Sequence, residues 1–275
     1  MRPANKTDCL KKGRETAKGE KGIKNGGLKI LLYDVETSPN IAYIWGKYEC
    51  DALGEFVRER QVISVAWKWL GEKDVHVFAM PMLKSYKKSP ENNKELIIFL
   101  HSLMQDADVV VGHNVSSFDD PMSNTEFIVH GLMPPPPHKI VDTLSFARHK
   151  FRFNSNKLGD LGKRLGLGEK VHTGGFELWA GCLRGDKASW KRMMEYNIGD
   201  VVLLEKIYLK MRPWMTAHPD MNAIDSHVGC PACKGKNLVR RGWGFSSSGK
   251  KMRFRCKDCG KWSKGALVRR EWKFK

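Results

Sequence analysis

The segment ILLYDVET, residues 30–37, most limits what this chain can fold into. Read as a strand, it alternates its side chains between two faces, and both faces begin with apolar residues. A strand that is apolar on both faces is typical of a sheet interior covered on both sides. Its second half places Asp34 and Glu36 on one face. Because buried, unpaired carboxylates are costly, the segment predicts a cation beside them.

Two further buried strands and a hairpin are predicted along the first two thirds of the chain. The apolar runs on either side of the polar GEKD segment, residues 71–74, predict an antiparallel hairpin. VVV at residues 109–111 and KIVDT at residues 139–143 predict short strands. The chain has 275 residues, which suits one sizeable domain together with a small one.

Apolar residues at helical spacing predict helices between and after these strands. The segment PENNKELIIFLHSLMQ shows this spacing, and Ser117 is expected to cap the next helix. Further helices are expected around residues 156–166, 187–195 and 197–212. Strands and helices in this order predict an α/β domain with a mixed sheet.

The positive charge of the chain is concentrated in two flanking segments. The net charge is +18, of which residues 1–27 carry +5 and residues 226–275 carry +13, whereas residues 28–225 are neutral. Such basic flanks predict a nucleic acid partner. Neither flank forms a basic amphipathic helix, so a membrane surface is not expected as a partner. The N-terminus lacks the apolar segment of a secretory signal, and we expect a cytoplasmic protein with reduced thiols.

Three short motifs contain acidic residues: Asp34-x-Glu36, Asn114-x3-Phe118-Asp119 and Tyr196-x3-Asp200. The first motif ends one buried strand, the second follows another buried strand, and the third lies on a late helix. Residues four apart on a helix share a face, so Tyr196 and Asp200 are expected to be neighbours. Each motif alone has an ordinary structural explanation, because an acid such as Asp119 is favoured at a helix N-terminus.

Taken together and in this order, the three motifs resemble the exonuclease motifs of the DEDD nucleases. The tyrosine marks the branch that includes the proofreading domains of DNA polymerases. The resemblance covers about residues 28–212, and it includes DTLSFARHKF and NKLGDLGKRLGLGEK, which are similar to B-family polymerases between their second and third motifs. It implies an RNase H-like fold with a five-stranded mixed sheet flanked by helices. No polymerase palm or fingers follow, so a stand-alone nuclease is expected.

The resemblance also implies a set of site residues. Two Mg²⁺ or Mn²⁺ ions, which prefer oxygen ligands, would be held by Asp34, Glu36, Asp119 and Asp200. In this family pattern Asp34 bridges both ions, and Tyr196 orients the attacking water. The residues that match contacts to the terminal nucleotides of the substrate are Thr37, Asn114 and Phe118. The alternative roles of Asn114 and Phe118 are a turn cap and a core aromatic.

The C-terminal segment contains two C-x2-C pairs separated by 22 residues: Cys230, Cys233, Cys256 and Cys259. This spacing predicts one structural Zn²⁺ on a β-ribbon. The segment looks like the zinc ribbons at the ends of transposase and transcription proteins. Cys9, Cys50 and Cys182 are expected to be plain thiols.

Basic and aromatic residues alternate between the two cysteine pairs, a composition that single-stranded nucleic acid binding uses. The candidate contacts are Arg240, Arg241, Trp243, Lys250, Lys251, Arg253 and Arg255. The alternative is that the aromatic residues, Phe254 among them, only form the core of a small module.

The predicted organisation is a basic disordered tail over residues 1–27, an exonuclease domain over 28–213, a linker over 214–227 and a zinc ribbon over 228–275. The leading hypothesis is a metal-dependent 3′→5′ exonuclease acting on single-stranded DNA ends. One alternative is an RNase H-like endonuclease that acts on flaps or junctions. Another is a non-enzymatic adaptor that binds DNA through its zinc ribbon. The sequence does not decide whether the substrate is DNA or RNA. It also does not identify any replication or repair protein as a partner.

Overall fold

The computed structural model describes residues 27–45, 55–170, 174–224 and 228–268. The predicted basic tail (apart from Gly27), Cys9, Cys50 and the end of the predicted linker lie outside these residues. The chain divides into two compact units, one containing Lys29–Ile207 and the other containing Tyr208–Lys275 together with Gly27 and Leu28. Each unit is described separately below.

The first unit is built on a mixed five-stranded sheet. The described strands of this unit, which include two outside the sheet, are β1 (Ile30–Thr37), β2 (Ile41–Tyr43), β3 (Glu55–Arg58), β4 (Val62–Trp69), β5 (His76–Ala79), β6 (Val109–Gly112) and β7 (Lys139–Asp142). The sheet has the order β5-β4-β1-β6-β7, and β2 pairs with β3 in a separate hairpin. Strand β1 runs antiparallel to β4 and parallel to β6. The α/β class with a mixed five-stranded sheet is therefore confirmed.

Strand β1 lies at the centre of this sheet and is buried on both faces. Its first four residues, Ile30 to Tyr33, are at most 1% exposed. Strand β1 has hydrogen-bonded neighbours on both edges and helices over both faces. This explains why the side chains on both of its faces are apolar. The central position makes β1 a rigid support for the carboxylates that follow Tyr33.

The helices of the chain are α1 (Lys94–Asp106), α2 (Asp119–Val129), α3 (Thr143–Lys150), α4 (Leu158–Arg164), α5 (Glu177–Leu183) and α6 (Lys187–Met211). The apolar stripe predicted for α1 is buried. The helices predicted over 187–195 and 197–212 are one helix of 25 residues, and no proline interrupts the chain around Tyr196. Helices α3 and α5 were not predicted from apolar spacing.

The N-terminus of α2 differs from the prediction. Phe118, rather than Ser117, occupies the capping position, and no side chain caps the helix there. The preceding turn is made by Asn114, whose backbone has φ of 74° and whose carbonyl accepts hydrogen bonds from the N–H groups of Ser117 and Phe118. A turn closed by backbone groups replaces the expected side-chain cap.

The second unit contains a three-stranded antiparallel sheet. Strands β8 (Leu238–Ser246), β9 (Gly249–Cys256) and β10 (Trp262–Val268) have the order β10-β9-β8. Part of the predicted linker is tied to this unit, because the Met221 N–H donates to the carbonyl of Pro231. None of the helices in the described residues has the length and hydrophobicity of a transmembrane span.

Candidate active site

Carboxylates from a strand and a helix meet at the end of β1. Asp34 and Glu36 lie on the same face of β1, and Asp200 comes from the middle of α6. One carboxylate oxygen of each of these three residues lies within 4.8 Å of the others. The structure therefore brings three of the four predicted metal ligands together.

The fourth predicted ligand, Asp119, lies beside this group rather than within it. Its side chain is buried, and Oδ1 accepts a hydrogen bond of 3.0 Å from the backbone N–H of Val35 on β1. Its charge raises the pKa of Asp34, so the two carboxylates are close enough to interact. We call Asp34, Glu36, Asp119 and Asp200 the acidic cluster.

The acidic cluster is electrostatically unfavourable without a cation. Burial, followed by repulsion from Asp119 and Glu36, raises the pKa of Asp34 well above its ordinary range. Burial and the charge of Asp200 raise the pKa of Glu36 to about 8. Burial raises the pKa of Asp119 to about 7, although the Val35 N–H opposes this shift. Like charges in a desolvated site disfavour their own ionisation, and a bound cation would reverse that effect.

Lys170 supplies one positive charge to the acidic cluster. Its Nζ lies 2.7 Å from Oδ2 of Asp200 and 4.5 Å from the centroid of the Tyr196 ring. Burial lowers the pKa of Lys170, but attraction to Asp200 outweighs it and the net pKa is raised, so the ammonium stays charged. One ammonium cannot neutralise four carboxylates, and Oδ1 of Asp200 is buried with no hydrogen-bond partner among the described residues. An all-oxygen donor set with this excess negative charge fits a hard divalent cation.

A buried asparagine fixes the orientation of Asp34. Nδ2 of Asn197 donates to Oδ2 of Asp34 at 2.8 Å, and Oδ1 of Asn197 accepts from the hydroxyl of Ser64 at 2.8 Å. Asn197 is fully buried on α6, so these bonds hold the Asp34 side chain in one position. The Asn197 amide joins α6 to two strands at the acidic cluster.

Tyr196 is buried next to Asp200, as its position one turn earlier on α6 predicts. Its hydroxyl interacts with both Lys170 and Asp200. Burial, followed by the charge of Asp200, raises the pKa of Tyr196 above its ordinary value. The hydroxyl is therefore protonated at neutral pH, which suits positioning of a ligand and not proton abstraction.

The comparison with protein families decides the assignment of this unit. The model of the RNase H superfamily matches residues 59–212, more than half of the chain. The chain belongs to the RNase H superfamily. The match begins after β1, so the placement of Asp34 and Glu36 in the site rests on the structure itself. RNase H superfamily membership together with the acidic cluster supports a nuclease hydrolase, for which the substrate is a nucleic acid.

Solved structures include similar folds. A family B DNA polymerase from the hyperthermophilic archaeon Pyrobaculum calidifontis is similar, with a TM-score of 0.49 and 16% sequence identity. The match covers 71% of this chain and 26% of the polymerase chain, so it spans about a quarter of that protein. No curated protein shows significant sequence similarity to this RNase H superfamily chain.

The three predicted contacts to the substrate end occupy different environments. Thr37 lines an open cleft next to Glu36. Asn114 forms the turn before α2, and its N–H donates to Oδ1 of Asp142. Phe118 packs partly against the hydrophobic core. The structural roles of Asn114 and Phe118 are thus visible, and their contact with substrate stays a prediction.

Sequence reasoning missed Lys170 and Asn197. A signal for Asn197 was present, because it interrupts the apolar stripe of Met193, Val201 and Leu204 on α6, where a polar side chain needs a specific partner. For Lys170 no comparable signal exists. It follows the glycine-rich end of α4, and only the folded chain brings it to Asp200.

The four cysteines of the second unit form a compact group. The sulfur atoms of Cys230 and Cys259 are 3.6 Å apart, and those of Cys233 and Cys256 are 3.7 Å apart. Zinc–sulfur bonds of about 2.3 Å in a tetrahedron place the sulfurs roughly 3.8 Å apart. The group therefore fits one tetrahedral Zn²⁺ and is compatible with a zinc ribbon.

Each cysteine pair closes in the same way. Lys234 and Gly260, the residues that follow the second cysteine of each pair, have φ of 59° and 80°. Their N–H groups donate to the carbonyls of Cys230 and Cys256, the first cysteine of each pair. Two equivalent turns thereby direct four thiols at one point.

The predicted basic and aromatic contacts of the ribbon lie on two different faces. Arg240, Trp243 and Lys250 share one face, because the register pairs Arg240 with Phe254 and Trp243 with Met252. Arg240 and Lys250 lie 5.7 and 4.6 Å from the centre of the Trp243 ring. These two cations are thus already engaged with an aromatic ring.

The opposite face of the ribbon carries a row of cations from β9. Lys251, Arg253 and Arg255 alternate with the residues of the first face, and Lys264 pairs with Arg253 across the strands. Arg253 lies 5.8 Å from the ring of Trp262, which is about half exposed. We call Lys251, Arg253, Arg255 and Lys264 the basic face.

The raised pKa of Glu36 predicts a specific dependence of stability on pH. Its pKa is about 8 in the folded chain and about 4.5 in the unfolded chain, so folding favours the protonated form. Without divalent ions, the wild type should lose stability as pH rises from about 4.5 through about 8. Glu36→Gln should remove part of this loss and stabilise the metal-free protein at pH 8 by at least about 1 kcal/mol.

The measurement is denaturant-induced unfolding at pH 5 and pH 8 with no added divalent ion. Glu59→Gln makes the same change at an exposed position outside the acidic cluster and should follow the wild type. If the free energy of unfolding changes with pH in the same way for the wild type and Glu36→Gln, the ionisation of Glu36 does not cause the predicted loss of stability.

Proposed function

We propose that this chain is a DEDD-type exonuclease that removes nucleotides from the 3′ ends of single-stranded DNA. The observation that carries the proposal is the convergence of carboxylate oxygens of Asp34, Glu36 and Asp200 within 4.8 Å of one another. The Tyr196 hydroxyl interacts with Asp200 beside them. The motif resemblance supports the polarity and the single-stranded DNA substrate. Superfamily membership supports the nuclease class.

The acidic cluster is suited to hold two Mg²⁺ or Mn²⁺ ions through Asp34, Glu36, Asp119 and Asp200. When bound, such ions supply positive charge at the attacking and leaving oxygens of a phosphodiester. The protein itself contributes fixed donors around the scissile group. Asn197 holds Asp34 in place, and the neutral hydroxyl of Tyr196 is positioned to orient a water molecule.

Lys170 contributes a further positive charge to substrate binding. Its side chain is 35% exposed, so a phosphate can approach the ammonium from solvent while Asp200 retains the salt bridge. Attraction of the phosphate by a pre-positioned cation lowers the cost of bringing a polyanion to an acidic site.

Substitution of the acids should abolish cleavage without unfolding the chain. Asp34→Asn and Asp200→Asn each remove a charge from a repulsive group, so both proteins should fold, and Mg²⁺-dependent cleavage should fall by about 100-fold or more. Asp120→Asn is the matched control, since Asp120 is adjacent to Asp119 in sequence but contacts Asn124 and His138 instead.

The assay uses a linear single-stranded oligonucleotide beside a circular one of the same sequence. An exonuclease releases mononucleotides from the linear strand, beginning at its 3′ end, and leaves the circle intact. Cleavage of the circle would favour the endonuclease alternative. Absence of cleavage by the wild type with Mg²⁺ or Mn²⁺ would favour the DNA-binding adaptor.

Tyr196→Phe should lower the maximal rate of cleavage by about 10-fold or more, because the attacking water would lose the hydroxyl that orients it. The metal concentration that gives half-maximal activity should change little, since the hydroxyl is not proposed as a ligand. Tyr208→Phe removes another buried hydroxyl from α6, one bonded to His218, and should leave both parameters unchanged. A rate equal to wild type, or a large rise in metal requirement, would contradict the positioning role.

The zinc ribbon is proposed to bind single-stranded nucleic acid through its basic face. Residues 226–275 carry +13, and Lys251, Arg253 and Arg255 are not paired with an acid in the described part of the chain. Cations in a row along one strand suit contact with successive phosphates, and Trp262 offers a surface for stacking. Arg241 lies in the segment of β8 where the register with β9 shifts, between Arg240 and Trp243.

Charge removal from the two faces should therefore have unequal effects. The variant Lys251→Gln/Arg253→Gln should weaken binding and flatten the log–log salt slope by about 1.4, at about 0.7 per phosphate contact. Arg240→Gln/Lys250→Gln removes the same charge from the other face, where Met252 and Phe254 stand in place of a row of cations along β9, and should change the slope less. Fluorescence anisotropy of a labelled single-stranded oligonucleotide at several salt concentrations gives both slopes. Equal changes would mean that net charge alone, and not the basic face, governs binding.

A further inference from the structure

A cavity of about 400 Å³ lies in the second unit, next to the cysteine group. We call it the ribbon cavity. The described residues that line it, from β8, the end of β9 and the turn of the second cysteine pair, are Val239, Arg241, Arg255, Cys256, Lys257 and Gly260. Three of these residues are cations and none is an acid. The lining therefore suits an anionic ligand.

The register of the ribbon explains why these cations meet. Val239 pairs with Arg255, so the two side chains lie on one face of the sheet. Arg241 follows Val239 by two residues, in the segment where the register with β9 shifts. Lys257 follows Arg255 by two residues, just beyond the end of β9. The cations thus reach the ribbon cavity from three backbone positions and not from one straight row.

Backbone hydrogen bonds hold the cysteine end of the ribbon cavity. The N–H of Lys257 donates to the carbonyl of Asn237 at 2.8 Å, and the N–H of Cys256 donates to the carbonyl of Lys261 at 2.9 Å. The N–H of Gly260 donates to the carbonyl of Cys256 at 3.0 Å. A cation on a backbone that is already fixed costs less to order when a ligand binds.

The cations of the ribbon cavity are not neutralised by acids. Arg241, Arg255 and Lys257 form no salt bridge in the described part of the chain. Asp258 is adjacent to Lys257 in sequence, but its Oδ1 accepts from Nδ2 of Asn237 at 2.6 Å and it does not line the cavity. Two guanidinium groups and an ammonium around one volume suit the oxygens of a phosphate group.

We propose that the ribbon cavity binds a phosphomonoester, either the 5′-terminal phosphate of a nucleic acid strand or that of a free mononucleotide. A phosphomonoester carries a charge of about −1.5 to −2 at pH 7 and three acceptor oxygens. An internal phosphodiester carries only one negative charge. A row of cations contacts successive phosphodiesters alike, whereas three cations around one cavity favour the group with the higher charge. The volume of the cavity lies in the range of sites for small ligands.

The strand-end form of this inference rests on the proposed binding of nucleic acid by the ribbon. It adds Lys257 to the binding residues, and it assigns Arg241 and Arg255 a ligand that the basic face does not select. Cleavage from a 3′ end leaves the 5′ phosphate in place, so a strand would keep this contact while it is shortened.

The test compares two single-stranded oligonucleotides of one sequence, one with a 5′ phosphate and one with a 5′ hydroxyl, each labelled at its 3′ end. Fluorescence anisotropy with the full chain and no added divalent ion gives both dissociation constants without cleavage. The wild type should bind the phosphorylated strand about 10-fold or more tightly, as expected for hydrogen bonds to a charged group. Arg241→Gln/Lys257→Gln should bring this ratio close to one, because it removes two of the three cations that line the cavity.

The matched control is Lys251→Gln/Lys264→Gln. It removes the same charge from the basic face, at positions that do not line the ribbon cavity. This variant should weaken binding of both strands by a similar factor and leave their ratio unchanged. An equal fall of the ratio in both double variants would overturn the proposal, since net charge alone would then explain the preference.

Isothermal titration calorimetry with a 5′-mononucleotide and with its nucleoside separates the two sources of the phosphate. If the wild type binds the mononucleotide and not the nucleoside, and Arg241→Gln/Lys257→Gln binds neither, a free nucleotide is a sufficient ligand. If only the phosphorylated strand binds, the strand end is the ligand. Mononucleotide binding that persists in Arg241→Gln/Lys257→Gln lies elsewhere and counts against the cavity.

These binding measurements separate failure of this inference from failure of the proposed activity. A preference for the phosphorylated strand in a protein that cleaves no DNA supports the ribbon cavity and not the exonuclease activity. Mononucleotide binding without strand binding supports the cavity and not the proposed role of the ribbon. A wild-type ratio near one, together with no binding of the mononucleotide, overturns the proposal whether or not the protein cleaves DNA.

Discussion

Repulsion among the carboxylates at the end of β1 is the constraint on which the rest of this structure depends. Burial and mutual repulsion raise the pKa of Asp34, and burial raises that of Glu36 to about 8, so the folded chain holds these groups at a cost in stability. The surrounding structure holds the carboxylates together despite that cost. Strand β1 is central and buried, and Asn197 anchors α6 to it. A bound cation would favour the ionised carboxylates and so reverse this cost.

The net positive charge of the chain lies outside the residues that contain the acidic cluster. Residues 28–225 are neutral, although they contain the acidic cluster, whereas residues 226–275 carry +13. An acidic cluster repels a polyanion until cations are present, so a neutral nuclease domain has little long-range attraction for its substrate. On the proposed function, the strongly basic C-terminal unit supplies that attraction and raises the local concentration of substrate. The charge pattern thus supports the proposed role of the second unit in substrate binding.

Periodic and spacing signals in the sequence predicted much of this architecture. The two-faced apolar pattern of β1 predicted its burial on both faces, and period-two alternation placed Asp34 and Glu36 on one face. Signals that depend on tertiary contact were not readable. Lys170 reaches Asp200 from the segment after α4, and only the folded chain brings the two residues together. The two faces of the ribbon depend on the register shift between Arg240 and Trp243, which composition does not encode.

Three carboxylates of the acidic cluster share one arrangement. Oδ2 of Asp34 is held by Asn197, Oδ2 of Asp200 by Lys170, and Oδ1 of Asp119 by the Val35 N–H. In each case one oxygen is committed to a protein donor, which fixes the orientation of the other. For Asp200 that other oxygen is buried without a partner among the described residues. A cation that binds the second oxygens therefore need not displace Lys170 or reorganise the acids. The Lys170 ammonium offsets part of the negative charge of the acidic cluster, and this arrangement would leave the second oxygens available to hold a cation.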